Sequence, residues 1–107
     1  MVRSSAADEQ GLERLTGLFK LLSDKTRLNI LMLLADGERN VTSICEQLHL
    51  PQPTVSHHLS LLRVNNIIAN RRNGKQIFYT LSVPVNASDP GSVKIGTEAF
   101  NVQISAK

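Results

Sequence analysis

Two stretches of this 107-residue chain decide its fold: PTVSHHLSLLR at residues 53–63 and IIANRRNGKQIFYTL at residues 67–81. The first predicts an amphipathic helix that begins at a proline, and the second predicts a basic β-hairpin. A helix that follows a short helix and a tight turn, and that precedes a charged hairpin, is the arrangement that a winged helix-turn-helix presents to DNA. The sequence therefore predicts a mainly α-helical domain with a small β-hairpin wing.

Charge is distributed unevenly along the chain. The formal net charge is +3 and the sequence pI is about 9.4, yet residues 47–88 contain no Asp or Glu. The basic residues inside this acid-free stretch are Arg63, Arg71, Arg72 and Lys75. A surface of one sign suits a polyanion, so double-stranded DNA is the expected partner.

Length and composition limit the other properties of the protein. A domain of 107 residues buries only a modest fraction of its surface, which favours a homodimer. The single cysteine, Cys45, excludes an internal disulfide framework and fits a reducing compartment. The sequence has no apolar run near the roughly 18 residues of a membrane helix and no signal-peptide pattern. We therefore expect a cytoplasmic protein that does not enter a membrane.

Apolar residues at helical spacing predict four helices before the hairpin. Their expected ranges are Ser5–Leu22, Asp24–Ala35, Val41–Leu48 and a fourth from Gln52 or Pro53 to about Asn65. The second helix is apolar on most sides and is expected to be the central buried one, with Ser23 as its N-cap and Gly37 ending it in a left-handed conformation. His49, in the turn after the third helix, is expected to have a positive φ.

The third and fourth helices are each expected to bury one face. The buried residues of the third are Val41, Ile44, Cys45 and Leu48, and those of the fourth are Val55, Leu59 and Leu62. Cys45 is thus favoured as a small buried hydrophobe over a sensor thiol. His58, beside the apolar face of the fourth helix, is expected to be packed and hydrogen-bonded.

The hairpin is expected to turn at Asn73-Gly74, the favoured pair for a two-residue type I′ turn. The expected cross-strand pairs are Arg72 with Lys75, Asn70 with Ile77, and Ile68 with Tyr79. Ile68, Ile77 and Tyr79 then share a face that covers the helices. Like charges at Arg72 and Lys75 would oppose the hairpin slightly, and an anionic partner would relieve that repulsion.

Residues 1–81 are expected to form the DNA-binding domain, and residues 82–107 a C-terminal extension that is not a separate domain. Prolines and a glycine without helical period indicate a loop at residues 82–91. Apolar residues alternate in two later segments, at Val93 and Ile95 and at Phe100, Val102 and Ile104. They indicate one or two extra strands, joined near residues 97–99.

The candidate DNA contacts lie on the outer face of the fourth helix and on the wing. They are Gln52, Thr54, Ser56, His57, Ser60, Arg63, Arg71, Arg72 and Lys75. Short or planar polar side chains near the helix N-terminus can reach base edges in the major groove, and the basic wing can contact phosphate or the minor groove. Lys25 and Arg27 are further candidates for phosphate contacts. The alternative is an ordinary solvated helix face and a charged turn, which the order of the elements disfavours.

Catalytic and metal-binding patterns are missing. His57 and His58 are adjacent, so on a helix their side chains point about 100° apart and do not easily bind one metal ion. The sequence has no Ser, His and acid arrangement, no glycine-rich phosphate loop and no paired carboxylates. We therefore expect neither an enzyme nor a cofactor or metal site.

Three segments resemble the ArsR/SmtB family of winged-helix bacterial repressors, and the resemblance covers about residues 18–81. They are D-x-T-R-L at Asp24–Leu28, T-V-S-H-H-L at Thr54–Leu59, and R-x-G-[KR]-x-x-x-Y at Arg72–Tyr79. The resemblance implies a homodimer that represses its operator and releases it when an inducer, often a metal ion, binds. It also implies that Ser56, His57 and their helical neighbours read DNA and that the wing residues Arg72 and Lys75 contact it.

The chain departs from the family at both of its known metal sites. Members that sense soft metals through the third helix carry cysteines at the positions of Asn40 and Thr42, whereas Cys45 falls three residues later. Members that sense zinc use a C-terminal fifth helix, and no such helix and no histidine follow Ser82. The dimer surface is then left to the first helix and the strand-like tail.

Two other functions stay open at this point. A metal or redox sensor of the same fold would change its DNA affinity on Zn²⁺ binding or on Cys45 oxidation, although the missing ligand pairs argue against a metal. A winged-helix module for protein interaction, without DNA binding, is the other. The acid-free stretch argues against it, because a protein-docking face gains nothing obvious from being uniformly basic.

Overall fold

The structure, a computed structural model, describes residues 6–83, 92–96 and 101–105. Its helices are α1 (Ala6–Leu22), α2 (Lys25–Ala35), α3 (Val41–Leu48) and α4 (Gln52–Val64). Its strands are β1 (Arg39–Asn40), β2 (Ile68–Asn73), β3 (Gln76–Leu81), β4 (Ser92–Gly96) and β5 (Asn101–Ser105). The succession of α3, α4 and the β2–β3 hairpin confirms the predicted winged helix-turn-helix.

The start of α2 corrects the predicted cap. Asp24, not Ser23, is the N-cap: its backbone is extended and its Oδ1 accepts the N–H of Arg27 at 3.0 Å. The hydroxyl of Ser23 instead donates to the Lys20 carbonyl at the end of α1, at 2.8 Å. Beyond α2, Gly37 has the expected positive φ, although its value of 138° lies well past that of a left-handed helix.

The turn between α3 and α4 forms as the sequence predicts. His49 is left-handed, with φ 56° and ψ 42°, and its N–H donates to the Cys45 carbonyl. Pro51 is the extended N-cap of α4, and Pro53 lies in the first turn of the helix, where the missing N–H costs no intrahelical hydrogen bond.

The core is built around α2 and one face of α4. The side chains with least exposure are Ile30, Leu31, Ile44, Val55, Leu59, Leu62 and Ile68. The predicted face of α4 is therefore confirmed, and α2 is central as expected. On α3 only Ile44 is fully buried, because Val41, Cys45 and Leu48 lie at the edge of the core and remain half-buried.

The register of the wing differs from the prediction. Asn73 lies opposite Gln76, and the further pairs are Arg72 with Ile77, Asn70 with Tyr79 and Ile68 with Leu81. The two central turn residues are Gly74 and Lys75, and of these only Gly74 has a positive φ, 65°. A positive φ at the first central residue alone is the pattern of a type II′ turn, and here that residue is a glycine, which has no Cβ. The predicted type I′ turn would have required a positive φ at Asn73 as well as at Gly74.

This shift changes the partners but not the faces of the strands. Each residue of β2 pairs two positions further along β3 than expected, so Ile68, Ile77 and Tyr79 still share one face. The predicted opposition of Arg72 and Lys75 is wrong, since Arg72 faces Ile77 across the ladder.

Two strand features lie outside the hairpin. The short β1, which the sequence did not predict, pairs with β3, so the sheet order is β1-β3-β2. The tail strands β4 and β5 pair antiparallel, which confirms the strand prediction, and Ile95 enters the core with only 3% exposure. Residues 84–91 of the predicted loop and the connection at 97–100 lie outside the described residues.

Candidate nucleic-acid interface

The outer face of α4 carries the polar residues that the sequence singled out. Gln52, Thr54, His57, Ser60 and Arg63 are exposed, and Ser56 is half-buried. They face outward because the opposite side of the helix is fixed by its buried apolar residues. Pro51 gives α4 no side-chain cap, so the N–H groups of Gln52 and Thr54 at the helix start keep no intrahelical acceptor.

The wing brings three basic residues beside this helix, in different situations. Arg72 and Lys75 are exposed. Arg71 is also exposed, but its guanidinium donates twice to the carboxylate of Glu38, at 2.8 and 2.7 Å, and lies 4.9 Å from the ring centre of Phe78. These hydrogen bonds and the attraction of the two charges lower the pKa of the Glu38 carboxyl and raise the pKa of the Arg71 guanidinium.

A cleft joins the wing tip to the starts of α3 and α4. It encloses about 230 Å³, and Thr42, Gln52 and Lys75 lie on its wall. A hydrogen bond from Asn40 Nδ2 to Gln76 Oε1, 3.3 Å long, joins β1, directly before α3, to the wing at this place. Thr42 was not among the predicted contacts. Thr42 lies in the first turn of α3, the helix before α4. This position could have indicated a phosphate contact, because in helix-turn-helix proteins the first of the two helices crosses the DNA backbone.

Arg27 is half-buried, and its guanidinium is bonded within the fold. Its Nε donates to the Leu21 carbonyl at 2.6 Å, and its Nη1 lies 3.3 Å from Nδ1 of His58. Two elements of the fold thus engage this guanidinium, and its contact with phosphate stays a prediction. Lys25 is exposed, as a phosphate contact requires.

His58 is packed and hydrogen-bonded, as predicted, with a side chain 14% exposed. Its Nδ1 also lies 3.9 Å from Oδ1 of Asp24. The hydrogen bond from the Arg27 backbone is the main reason that the pKa of the Asp24 carboxyl is lowered, and the charge of Arg27 acts in the same direction.

Within the described residues, no group of three or more His, Cys, Asp or Glu side chains is placed to hold a metal ion. Cys45 is a free, half-buried thiol that packs against the core. None of the helices seen in this part of the chain is long and apolar enough to cross a membrane.

Comparison with known sequences shows similarity to transcriptional regulators. A family model described as "Bacterial regulatory protein, arsR family" matches residues 24–69. The arsenical resistance operon repressor of Escherichia coli K12 is 44% identical over 87 residues, which are 80% of this chain and 72% of that protein.

Solved structures give the same result for the fold. NolR from Sinorhizobium fredii superposes with a TM-score of 0.69 at 30% identity, over 77% of this chain and 82% of that one. A winged helix-turn-helix domain from Mycobacterium bovis, described as homodimeric, DNA-binding and from a possible ArsR-family regulator, superposes with a TM-score of 0.66 at 30% identity. That match covers 77% of this chain and 76% of the other.

Proposed function

Because this chain belongs to the arsR family of bacterial regulatory proteins, we propose that it binds an inverted-repeat DNA operator as a homodimer and represses transcription. The observation that carries the proposal is the exposed polar face of α4 beside a basic wing, in a stretch of 42 residues, 47–88, without a single acid. Such a surface suits the major groove and the phosphates that flank it.

Base reading falls to the exposed residues near the start of α4. Thr54, Ser56, His57 and Ser60 carry donors and acceptors of a size that reaches base edges without filling the groove. Gln52 and Arg63, at the two ends of the helix, flank them.

Phosphate contacts fall to the wing and to the cleft beside it. A phosphate in this cleft would meet the Lys75 ammonium and the Thr42 hydroxyl, next to the free N–H groups of α4. Arg72 extends this contact along the wing. Arg71 contacts phosphate to the extent that DNA displaces the Glu38 carboxylate from its guanidinium.

The homodimer rests on an apolar stripe of α1. Leu12 and Phe19 are exposed by 44% and 54%, and seven residues apart they lie on the same side of the helix. A second copy of the chain would bury them, and the similar domain from Mycobacterium bovis is described as homodimeric. In a two-fold dimer the two α4 helices would enter successive major grooves about 34 Å apart, which requires an inverted repeat.

The remaining assignments follow from this function. Residues 1–81 act as the DNA-binding domain, and residues 82–107 as an extension that packs on it through Ile95. The protein acts in the cytoplasm, needs no cofactor and catalyses no reaction. Its release from DNA follows an inducer that does not use the metal ligands of other family members, because this sequence lacks them at both positions.

The test is fluorescence anisotropy with randomised duplex DNA at several salt concentrations, followed by selection and sequencing of the bound fraction. We expect salt-sensitive binding that enriches an inverted repeat. His57→Ala should relax the sequence preference, whereas Arg72→Ala should weaken binding to all duplexes and flatten its salt dependence. Lys94→Ala, which removes an exposed charge from the tail strand β4, is the control. Absence of binding at low salt would reject the proposal.

Sedimentation tests the dimer independently. Leu12→Ser together with Phe19→Ser should shift the protein to monomer and weaken operator binding. Val64→Ser removes another exposed apolar side chain, 69% exposed, from the end of α4 and should leave the dimer intact. If the double variant remains dimeric, the second copy does not dock on α1.

A further inference from the structure

We propose that Arg27 and His58 are positioning residues for sequence reading, which hold α4 and the ring of His57 in the orientation that selects the operator. Both side chains are bonded within the fold: the Arg27 guanidinium contacts Leu21 and His58, and the His58 side chain is 14% exposed. The inference rests on the proposed function, since it assigns the origin of sequence preference within the same DNA-binding surface.

Arg27 ties three helices together. Its Nε donates to the last turn of α1 at Leu21, its backbone N–H donates to the α2 cap at Asp24, and its Nη1 reaches His58 in α4. Apolar contacts hold α4 on the core but are non-directional. Hydrogen bonds depend on angle, so this junction defines how α4 is rotated and how far it slides relative to α1. In the proposed dimer, α1 carries the partner and α4 reads the DNA.

The junction also defines the state of His58. An arginine can only donate, so in the proposed contact Nδ1 of His58 is the acceptor and the proton of the neutral ring lies on Nε2. The carboxylate of Asp24, 3.9 Å from the same nitrogen, balances the charge of Arg27 there. The hydrogen bond from Arg27, in the first turn of α2, therefore sets the plane of the His58 ring.

His58 in turn forms one wall for His57. The two rings meet edge to face, with centres 5.5 Å apart and planes inclined by 62°. His57 is exposed on the DNA side of α4, so a rotation of the His58 ring would change the space open to it. The contacts thus run from Arg27 through His58 to the side chain proposed to read bases.

Two variants distinguish the positioning role of Arg27 and His58 from an effect of positive charge and from an effect of ring packing. Arg27→Lys keeps the positive charge, but one ammonium does not reproduce the planar fork that reaches both Leu21 and His58. His58→Phe keeps a ring against His57 and removes the acceptor. Lys94→Arg is the matched control: it exchanges the same two residue types in the opposite direction, at an exposed position of β4 outside the proposed DNA-binding surface.

The experiment compares the affinity of each variant for the selected operator and for random duplex, at two salt concentrations and at a temperature at which circular dichroism shows it folded. Arg27→Lys and His58→Phe should lose about tenfold in operator affinity, the scale of one hydrogen bond to a charged group. Their affinity for random duplex and its salt slope should not change. Lys94→Arg should match the wild type in both affinities.

Nitrogen-15 spectra of the histidine rings give a second readout. The wild type should show His58 protonated on Nε2 with Nδ1 as acceptor, and Arg27→Lys should lose the hydrogen-bond signature at Nδ1 while the protein stays folded. The inference is overturned if the folded variants keep the wild-type ratio of operator to random affinity, or lose both affinities equally. A wild type that binds no duplex would instead reject the proposed function, and this inference with it.

Discussion

Arg71 in the wing and Glu38 in the segment before β1 form a two-pronged ion pair, in which Nε donates to Oε2 at 2.8 Å and Nη2 donates to Oε1 at 2.7 Å. The pair ties the wing to the connection between α2 and α3. It also means that one of the three wing cations already has an acidic partner within its own chain. DNA phosphate would have to compete with Glu38 for this guanidinium.

Removing the acid should therefore strengthen DNA binding. In Glu38→Gln the Arg71 guanidinium is free for a phosphate, so we expect tighter binding to operator and random duplex alike and a salt slope steeper by about 0.9. Glu46→Gln, which removes an exposed acid of α3, is the control for net charge. Equal gains in the two variants would mean that Glu38 does not restrain Arg71.

The same pair predicts a dependence of stability on acid. Arg71 holds the pKa of Glu38 below its ordinary 4.5, so the pair stabilises the fold fully above about pH 4.5 and loses this contribution as the pH falls through the lowered pKa. Thermal unfolding of the wild type and of Glu38→Gln between pH 7 and pH 3 measures it. Their melting temperatures should differ at neutral pH and converge in acid; a constant difference would contradict the linkage.

His49→Gly should stabilise the protein. The left-handed backbone at φ 56° costs a residue with a Cβ about 1–2 kcal/mol, and the larger freedom of unfolded glycine offsets roughly 0.5–1 kcal/mol. We expect a net gain of about 0.5–1 kcal/mol in the free energy of unfolding by urea. His57→Gly, in the middle of α4, should instead lose about 1 kcal/mol. A loss in both variants would show that the His49 side chain itself contributes to the turn.

Ile95→Ala tests whether the tail is part of the folded core. Ile95 is 3% exposed, and its strand β4 packs against α2, so truncation should reduce the free energy of unfolding by about 2–5 kcal/mol. The adjacent and exposed Lys94 is the control, since Lys94→Ala should change stability by no more than about 0.5 kcal/mol. An equally small effect at Ile95 would mean that the hairpin of β4 and β5 does not stabilise the domain.

The sequence predicts those structural features whose physical reason lies in a single residue or a single helical turn. The ranges of α1 to α4, the positive φ of His49 and the buried side of α4 all follow from apolar spacing, backbone sterics and proline geometry. The errors concern competition between neighbours. Ser23 and Asp24 both suit an N-cap, but the Ser23 hydroxyl bonds the Lys20 carbonyl at the end of α1 instead. Asn73 and Gly74 are compatible with more than one type of hairpin turn.

Sequence alone determined that this chain forms a winged helix-turn-helix whose residues 47–88 are basic and free of acids, because periodicity and charge are properties of the residues themselves. The tertiary structure decided what the charged side chains do. Arg27 and Arg71 look alike as surface cations in the sequence, yet one joins three helices and the other is paired with Glu38. Their partners lie up to 33 residues away along the chain. Hydrogen bonds and ion pairs depend on distance in space, and these distances are fixed only when the core has folded.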